Sequence, residues 1–381
     1  MPQPKTDDRA GLSVELIGPL RPSFVESRTI GVDVMNVMDG KREQRTGIRE
    51  RHPDAWARAT TAAHVALALW FAWNAFHAIE GVLWQWPAHL DTVGVDGRLY
   101  YRAAHMWLSG GDPWTAYTQT NTWPVSGQYI HELFTGPPPT VLAFVPFTWI
   151  PEDLFTVGWL GLTVAATVYA LRRLGLPIWW LLFPPVVTGI VSGNPHMVAL
   201  AVLLCGSNKL RWLAVPLKAY AVFPMLAERQ WRALGILAAI VGASVIVFLP
   251  LWVQYRLDYA QVNEWLTGPG TAGGFSATRD PRLFALTAAA LGALALIDRR
   301  AAGWLAVPAL WPATQYFYAT FALPLRSPWL AAALALAQPK EAAVVPWAIV
   351  AYSAARVAQW LYRRLWGAAV DSEAHAREVV E

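Results

Sequence analysis

The chain has 381 residues, of which 55% are hydrophobic and 15% charged, far more apolar side chain than one soluble core of that size buries. Its net charge of +4 is small and gathers at the ends of apolar segments, which excludes a nucleic-acid footprint. A single cysteine, Cys205, excludes a disulfide framework and a cysteine-based metal site.

The bilayer is the natural solvent for such a chain. Its 22 tryptophans suit the headgroup level, and its 28 prolines are tolerated where neighbouring helices satisfy the freed carbonyls. Residues 1–55 read as a polar cytoplasmic tail whose basic end holds Lys41, Arg42, Arg45, Arg49 and Arg51. The tail does not read as a cleaved signal peptide. Its apolar pieces, 13–17 and 30–37, either pair as a small surface hairpin or stay disordered.

The first span is expected at 60–83, with His77 and Glu80 as an interfacial polar pair near its outer end. A loop at 84–136 follows, well above the usual connection length. After Gly97 it takes helical spacing, with Leu99, Ala103, Met106 and Trp107 on one face, and should lie along the membrane surface. On a neighbouring face Arg98, Arg102 and His105 recur at i, i+4 and i+7, a stripe suited to a lipid phosphate. Asp96 opens this helix, either as a cap for its free amides or as a general base.

Further spans are expected at 139–150, 154–171, 178–191, 196–204, 210–226, 231–253, 283–297, 303–323 and 342–361. That makes about ten transmembrane helices, several too short to cross without tilt or thinning. The segment 329–337 is re-entrant or half of a broken span. With this count Glu152 and Asp153 start a helix from the cytoplasmic side, while Glu228, Arg229, Arg232, Asp298, Arg299, Arg300, Arg356, Arg363 and Arg364 also face the cytoplasm. Arg172 and Arg173 then fall on the wrong side, which points to a miscount of one.

Pro184 and Pro185 mark a broken helix, and Asn194 and His196 follow Gly193 where such a break can offer backbone amides to an anion, or where His196 is merely structural. Lys218, between Pro216 and Pro224, sits mid-segment, where a charge faces a functional cavity or snorkels outward. A second external loop at 255–282, rich in glycine at 268–274, is expected to be mobile and to close over the site. Histidines are dispersed, and no carboxylate pair in an external loop has metal-ligand spacing.

Together, Asp96-x3-Tyr100-Tyr101-x-Ala103-Ala104, Gly110-Gly111-Asp112-Pro113-Trp114, Pro137-Pro138, Gly193-Asn194-x-His196, Lys218 with Pro224, and Glu228-Arg229-x-Trp231-Arg232 resemble glycosyltransferase family 87. The resemblance covers about residues 91–234 and the remainder by hydropathy alone. It implies an all-α polytopic membrane enzyme of the GT-C type; the span count and the spacing place its transmembrane domain at 56–366, with an amphipathic external-loop helix, and a cytoplasmic tail at 367–381. It implies Asp96 as catalytic base, a polyprenyl-phosphate sugar, with mannose the first candidate, as donor, a lipid or glycan acceptor, an external active site, and neither metal nor cofactor.

On this reading Arg98, Arg102, His105 and Lys218 hold the donor phosphate, with Tyr100, Tyr101, Asn194 and His196 nearby. The family's late-span histidine is missing from 312–318, where Gln315 or Tyr316 replaces it. The usage of Ala, Arg and Trp suggests a bacterial source and hence the plasma membrane. A transporter or flippase would also need broken helices and buried charge, but no internal repeat is found; a non-catalytic cell-envelope subunit is the third reading.

Overall fold

The computed structural model describes residues 53–83, 93–115, 119–122, 129–267, 276–312, 316–335 and 343–378. The chain divides into Met1–Ala62 and Ala63–Glu381, and the second unit carries the helical packing that positions the candidate site. The described regular elements are helical, apart from a short antiparallel hairpin that pairs Gln119–Thr122 with Tyr129–Glu132. Among the described residues two helices are long and apolar enough to cross a membrane, or four if each of two bent pairs is one span.

Helix α1, Pro53–Leu83, buries Leu67, Phe71 and Ala75 at i, i+4 and i+8, and exposes Val65, Leu69, Trp73 and Phe76. The Phe71 ring packs on Trp179, Trp180 and Phe183 at 5.0–5.7 Å. Helix α2, Val95–Leu108, is the expected amphipathic helix, with Leu99, Ala103 and Ala104 buried. It is followed by α3, Pro138–Phe144, a 3-10 turn at Val145–Trp149, and α4, Glu152–Leu174. One face of α4 buries Phe155, Trp159, Thr163, Ala166 and Ala170, while Leu154, Val157, Leu162 and Val164 are exposed. An exposed apolar face on a helix about 35 Å long suits lipid.

Helix α5, Pro184–Ser192, and helix α6, His196–Leu204, form the first bent pair, turning through 114° at Gly193. Short elements follow: α7, Ala214–Leu217; a 3-10 turn, Ala219–Ala221; and α8, Val222–Ala227. Helix α9, Trp231–Val247, meets α10, Leu249–Thr267, at 95°. Helix α11, Pro281–Leu310, leaves helical geometry at Asp298, whose carboxylate accepts the Ala301 amide at 3.0 Å and so caps a fresh start. A 3-10 segment, Tyr316–Leu325, then α12, Pro328–Ala335, and α13, Val344–Glu378, complete the described chain.

Several expected spans are redrawn. The segment 139–150 does not cross: α3 is only about 10 Å long, and both flanks are tied to the loop it leaves. Trp114 Nε1 donates to the Gly136 carbonyl at 2.9 Å before it, and Tyr101 Oη donates to the Ile150 carbonyl at 2.8 Å after it. Glu152 and Asp153 therefore start α4 beside α2, and Arg172 and Arg173 lie in its last turn at the other end.

Residues 178–191 and 196–204 are not two crossings but one bent pair whose apex meets α2. The span expected at 210–226 is broken at Lys218, where the backbone is extended (φ −150°, ψ 107°). The mobile loop expected from 255 is helical up to Thr267, with Tyr255 packed 5.0 Å from Trp114. The glycine-rich residues 268–275 lie outside the described residues.

Candidate functional site

Helix α2 starts at a crowded crossing that glycines make possible. The Gly94 amide, in the left-handed region at φ 74°, donates to the Val191 carbonyl at 2.8 Å. A Cβ on Gly97 would lie 2.7 Å from Trp159 Cδ1, and one on Gly193 would lie 3.0 Å from Gly94 Cα. Trp159 Nε1 closes the crossing by donating to the Gly193 carbonyl at 2.7 Å. The first turn of α2 is thereby held against the apex of α5 and α6.

That contact fixes Asp96. It is not the cap of its helix: Gly94 takes the N-cap position, with no side-chain bond there. Instead Asp96 Oδ2 accepts from Asn194 Nδ2 at 2.8 Å, across 98 residues of sequence. The amide is oriented from behind, since Asn194 Oδ1 accepts the His196 backbone N–H at 3.1 Å. The Asn194 backbone N–H is itself spent on the Gly189 carbonyl at 3.0 Å. The Asn194 and His196 amides are thus both engaged, and the break presents an oriented side-chain donor to Asp96. Among the described residues the other Asp96 oxygen accepts no hydrogen bond, and the side chain is half-buried.

Lys218 comes to the same place from the break between α7 and the next 3-10 turn. Its side chain is buried, and Nζ donates to Tyr100 Oη at 2.7 Å. The ammonium lies 5.2 Å from the Tyr100 ring centroid, 6.0 Å from Phe317 and 5.8 Å from Tyr318, an aromatic enclosure that suits a cation. No carboxylate among the described residues lies within ion-pair distance of Lys218, although the charge of Asp96 acts on it. Desolvation, then Tyr318 and Asp96, hold the Tyr100 phenol well above its ordinary value. Tyr100 therefore stays neutral, accepting from Lys218 with its own proton available to donate.

His196 is fully buried, and neither ring nitrogen has a partner among the described residues. Its ring lies 4.9 Å from that of Phe317 in a stacked arrangement, and on α5 only a glycine leaves room for it, since a Cβ on Gly189 would overlap the imidazole. Behind Lys218, Tyr220 and Tyr318 pack with ring centroids 4.5 Å apart. Among the described residues the buried Tyr220 hydroxyl finds no partner of hydrogen-bonding geometry, the Tyr318 hydroxyl included.

The basic stripe points elsewhere. Arg98 Nε donates to Thr156 Oγ1 at 3.2 Å, with a longer contact of 3.8 Å to Asp153. Both Nε and Nη2 of Arg102 bind Glu152 Oε1, at 2.8 and 2.6 Å. These arginines fasten α2 to the acidic first turn of α4, a position that favours carboxylates in any case. His105 is exposed, its ring 6.3 Å from that of Tyr101. Desolvation and then Glu152 raise the Tyr101 phenol, which keeps the proton it gives to Ile150. Gln315 lies outside the described residues, and Tyr316 opens the 3-10 segment that carries Phe317 and Tyr318 to the site.

Sequence reasoning thus reaches Asp96, Asn194, Lys218 and Tyr100, which the structure gathers. It misses Phe317, Tyr318, Tyr220 and Gly189. For the two tyrosines the only signal is a phenol within an apolar run. No three His, Cys, Asp or Glu side chains gather as a metal site among the described residues. No family model, curated protein or solved structure matches the chain.

Proposed function

We propose that the chain is a multi-pass glycosyltransferase of the GT-C type in a bacterial plasma membrane. It would move a sugar, mannose first among candidates, from polyprenyl phosphate to a lipid or glycan acceptor at the external face. The observation that carries the reading is the meeting of a carboxylate with one oxygen free, Asp96, and a buried ammonium without a carboxylate partner, Lys218, beside the neutral phenol of Tyr100.

Sugar transfer from a phosphate needs both ends of that set. Asp96 takes the proton of the acceptor hydroxyl as its oxygen forms a bond to the sugar's anomeric carbon. The bond from that carbon to the phosphate oxygen breaks, and the lipid phosphate leaves with the electron pair, its charge met by Lys218 and a hydrogen bond from Tyr100. In this scheme Arg98 and Arg102 hold α2 in place. With residues 1–55 in the cytoplasm and 139–150 not crossing, Arg172 and Arg173 reach the cytoplasmic side, in keeping with the positive-inside rule.

The test is transfer of radiolabelled mannose from polyprenyl-phosphate-mannose to membrane lipids by purified protein, wild type against Asp96→Asn. The variant keeps an oxygen for the Asn194 donor and loses the base, so transfer should fall by about 10²–10⁴-fold. Undiminished transfer would move the base elsewhere. The bent α5–α6 pair favours a second reading, a transporter with discontinuous helices at its binding site. Donor-dependent product formed in detergent, where no gradient exists, would exclude transport as the sole activity.

A further inference from the structure

A second polar cluster lies at the far end of α6, about 13 Å along that helix from the Asp96 site. At its centre Glu228 receives four donors. Trp304 Nε1 and Arg300 Nε reach Oε1 at 3.1 and 3.2 Å, and Gln230 Nε2 and Arg211 Nη1 reach Oε2 at 2.7 and 3.1 Å. Arg211 is held from behind as well, its Nε donating to the Cys205 carbonyl at 3.1 Å. One carboxylate thus ties the end of α8, the second half of α11 and the turn before α7, and its lone pairs are fully engaged.

The positive charge around it is not matched. Beside Arg211 and Arg300, the same turns carry Lys209, Arg229, Arg232 and Arg299, all without an ion-pair partner among the described residues. The turns that meet at Glu228 therefore carry six cations, two of them on its carboxylate, and Asp298 on the same stretch of α11 is engaged by Arg356 at 3.4 Å.

Arg229 is placed there at a cost. Its φ of 55° lies in the left-handed region, at a helix end where glycine is the usual occupant. Exposed apolar side chains stand among the cations: Leu210 at 50%, Leu226 at 46% and Trp231 at 63% of full exposure.

We infer that this surface binds the headgroup of an anionic phospholipid. The guanidinium groups offer their remaining N–H donors to a phosphodiester, and Trp231 and the leucines take the glycerol and upper acyl region. A free phosphate has no use for the apolar side chains, whereas the lipid uses both. The cluster is separate from the Asp96 site, so the inference stands or falls independently of sugar transfer.

The test measures binding of phosphatidylglycerol, phosphatidylcholine and inorganic phosphate to the purified full-length protein in neutral detergent. Wild type is compared with the triple variant Lys209→Gln, Arg232→Gln, Arg299→Gln. Those three side chains make no ion pair among the described residues, so the thermal unfolding of the variant without lipid should match wild type. Each cation near an anionic surface contributes about fivefold in affinity, so the variant should bind phosphatidylglycerol roughly a hundredfold more weakly.

Wild type should also prefer phosphatidylglycerol to phosphatidylcholine, in a salt-sensitive manner. Equal binding of the two lipids would overturn the inference, and so would phosphatidylglycerol affinity unchanged in the variant. Competition by inorganic phosphate at matching affinity would show a simple anion site and overturn it equally.

Discussion

Asn194 is where the candidate site is most open to a decisive perturbation. Its side chain bridges two groups, donating to Asp96 Oδ2 at 2.8 Å and accepting the His196 N–H at 3.1 Å, so Asn194→Ala strips both at once. A hydrogen bond to a charged group contributes about 1.5–3 kcal/mol, and a buried N–H left without a partner costs about 1–3 kcal/mol. Asp96 is half-buried and water can replace the lost donor there, so the sum should settle at about 2–4 kcal/mol. Denaturant unfolding in detergent, followed by tryptophan fluorescence, reads that difference. Asn194→Asp sharpens the test. It keeps an acceptor for His196 but sets a second carboxylate against Asp96, so its deficit should shrink as the pH falls and one proton comes to be shared. A stability change for Asn194→Ala within about 0.5 kcal/mol of zero, the level of an ordinary surface substitution, would refute the bridge. So would a pH-independent deficit in Asn194→Asp.

Gly189→Ala should cost about 1–3 kcal/mol by driving a methyl into the His196 ring. In a His196→Ala background the same change should become neutral or stabilising, as helix propensity then decides; a thermal-shift double-mutant cycle reads the reversal. Arg102→Gln should cost only about 0.5–1 kcal/mol, because the pair with Glu152 is a third exposed. It should also be non-additive with Glu152→Gln in the same assay. Asp258, beyond the apolar stretch of 231–253, has its carboxyl raised by desolvation and then by Asp112. A carboxyl raised in the folded state binds its proton more tightly there, so stability is lost as pH rises through the ordinary carboxylate range to the raised value. Asp258→Asn should therefore raise the melting temperature near neutral pH and lose that advantage below about pH 4.

What was legible in the sequence was chemistry that stands out against an apolar background. A lysine in a hydrophobic run, an aspartate opening an amphipathic pattern and an asparagine after a glycine each announced themselves; the fold joins the asparagine to the aspartate across 98 residues and the lysine to Tyr100 across 118. Helical periodicity also placed Leu99 and Ala103 on the buried face of α2. It could say that Arg98 and Arg102 share a face but not what that face meets. The answer lay in Glu152 and Asp153, fifty residues on in the Arg102 pair, and only the failure of 139–150 to cross brings them there. Phe317 and Tyr318 were hidden for the opposite reason, since aromatic side chains in an apolar segment look like packing until a cation is seen among them.

Hydropathy counts apolar segments, but whether a segment crosses depends on what its two flanks are tied to. The stretch 139–150 is apolar enough to be counted, yet Trp114 and Tyr101 hold its two flanks to the same loop. With 139–150 turned back, α4 starts beside α2 at Glu152, and Arg172 and Arg173 lie at its other end. The phenol of Tyr101 on the Ile150 carbonyl and the indole of Trp114 on the Gly136 carbonyl hold 139–150 where it turns back.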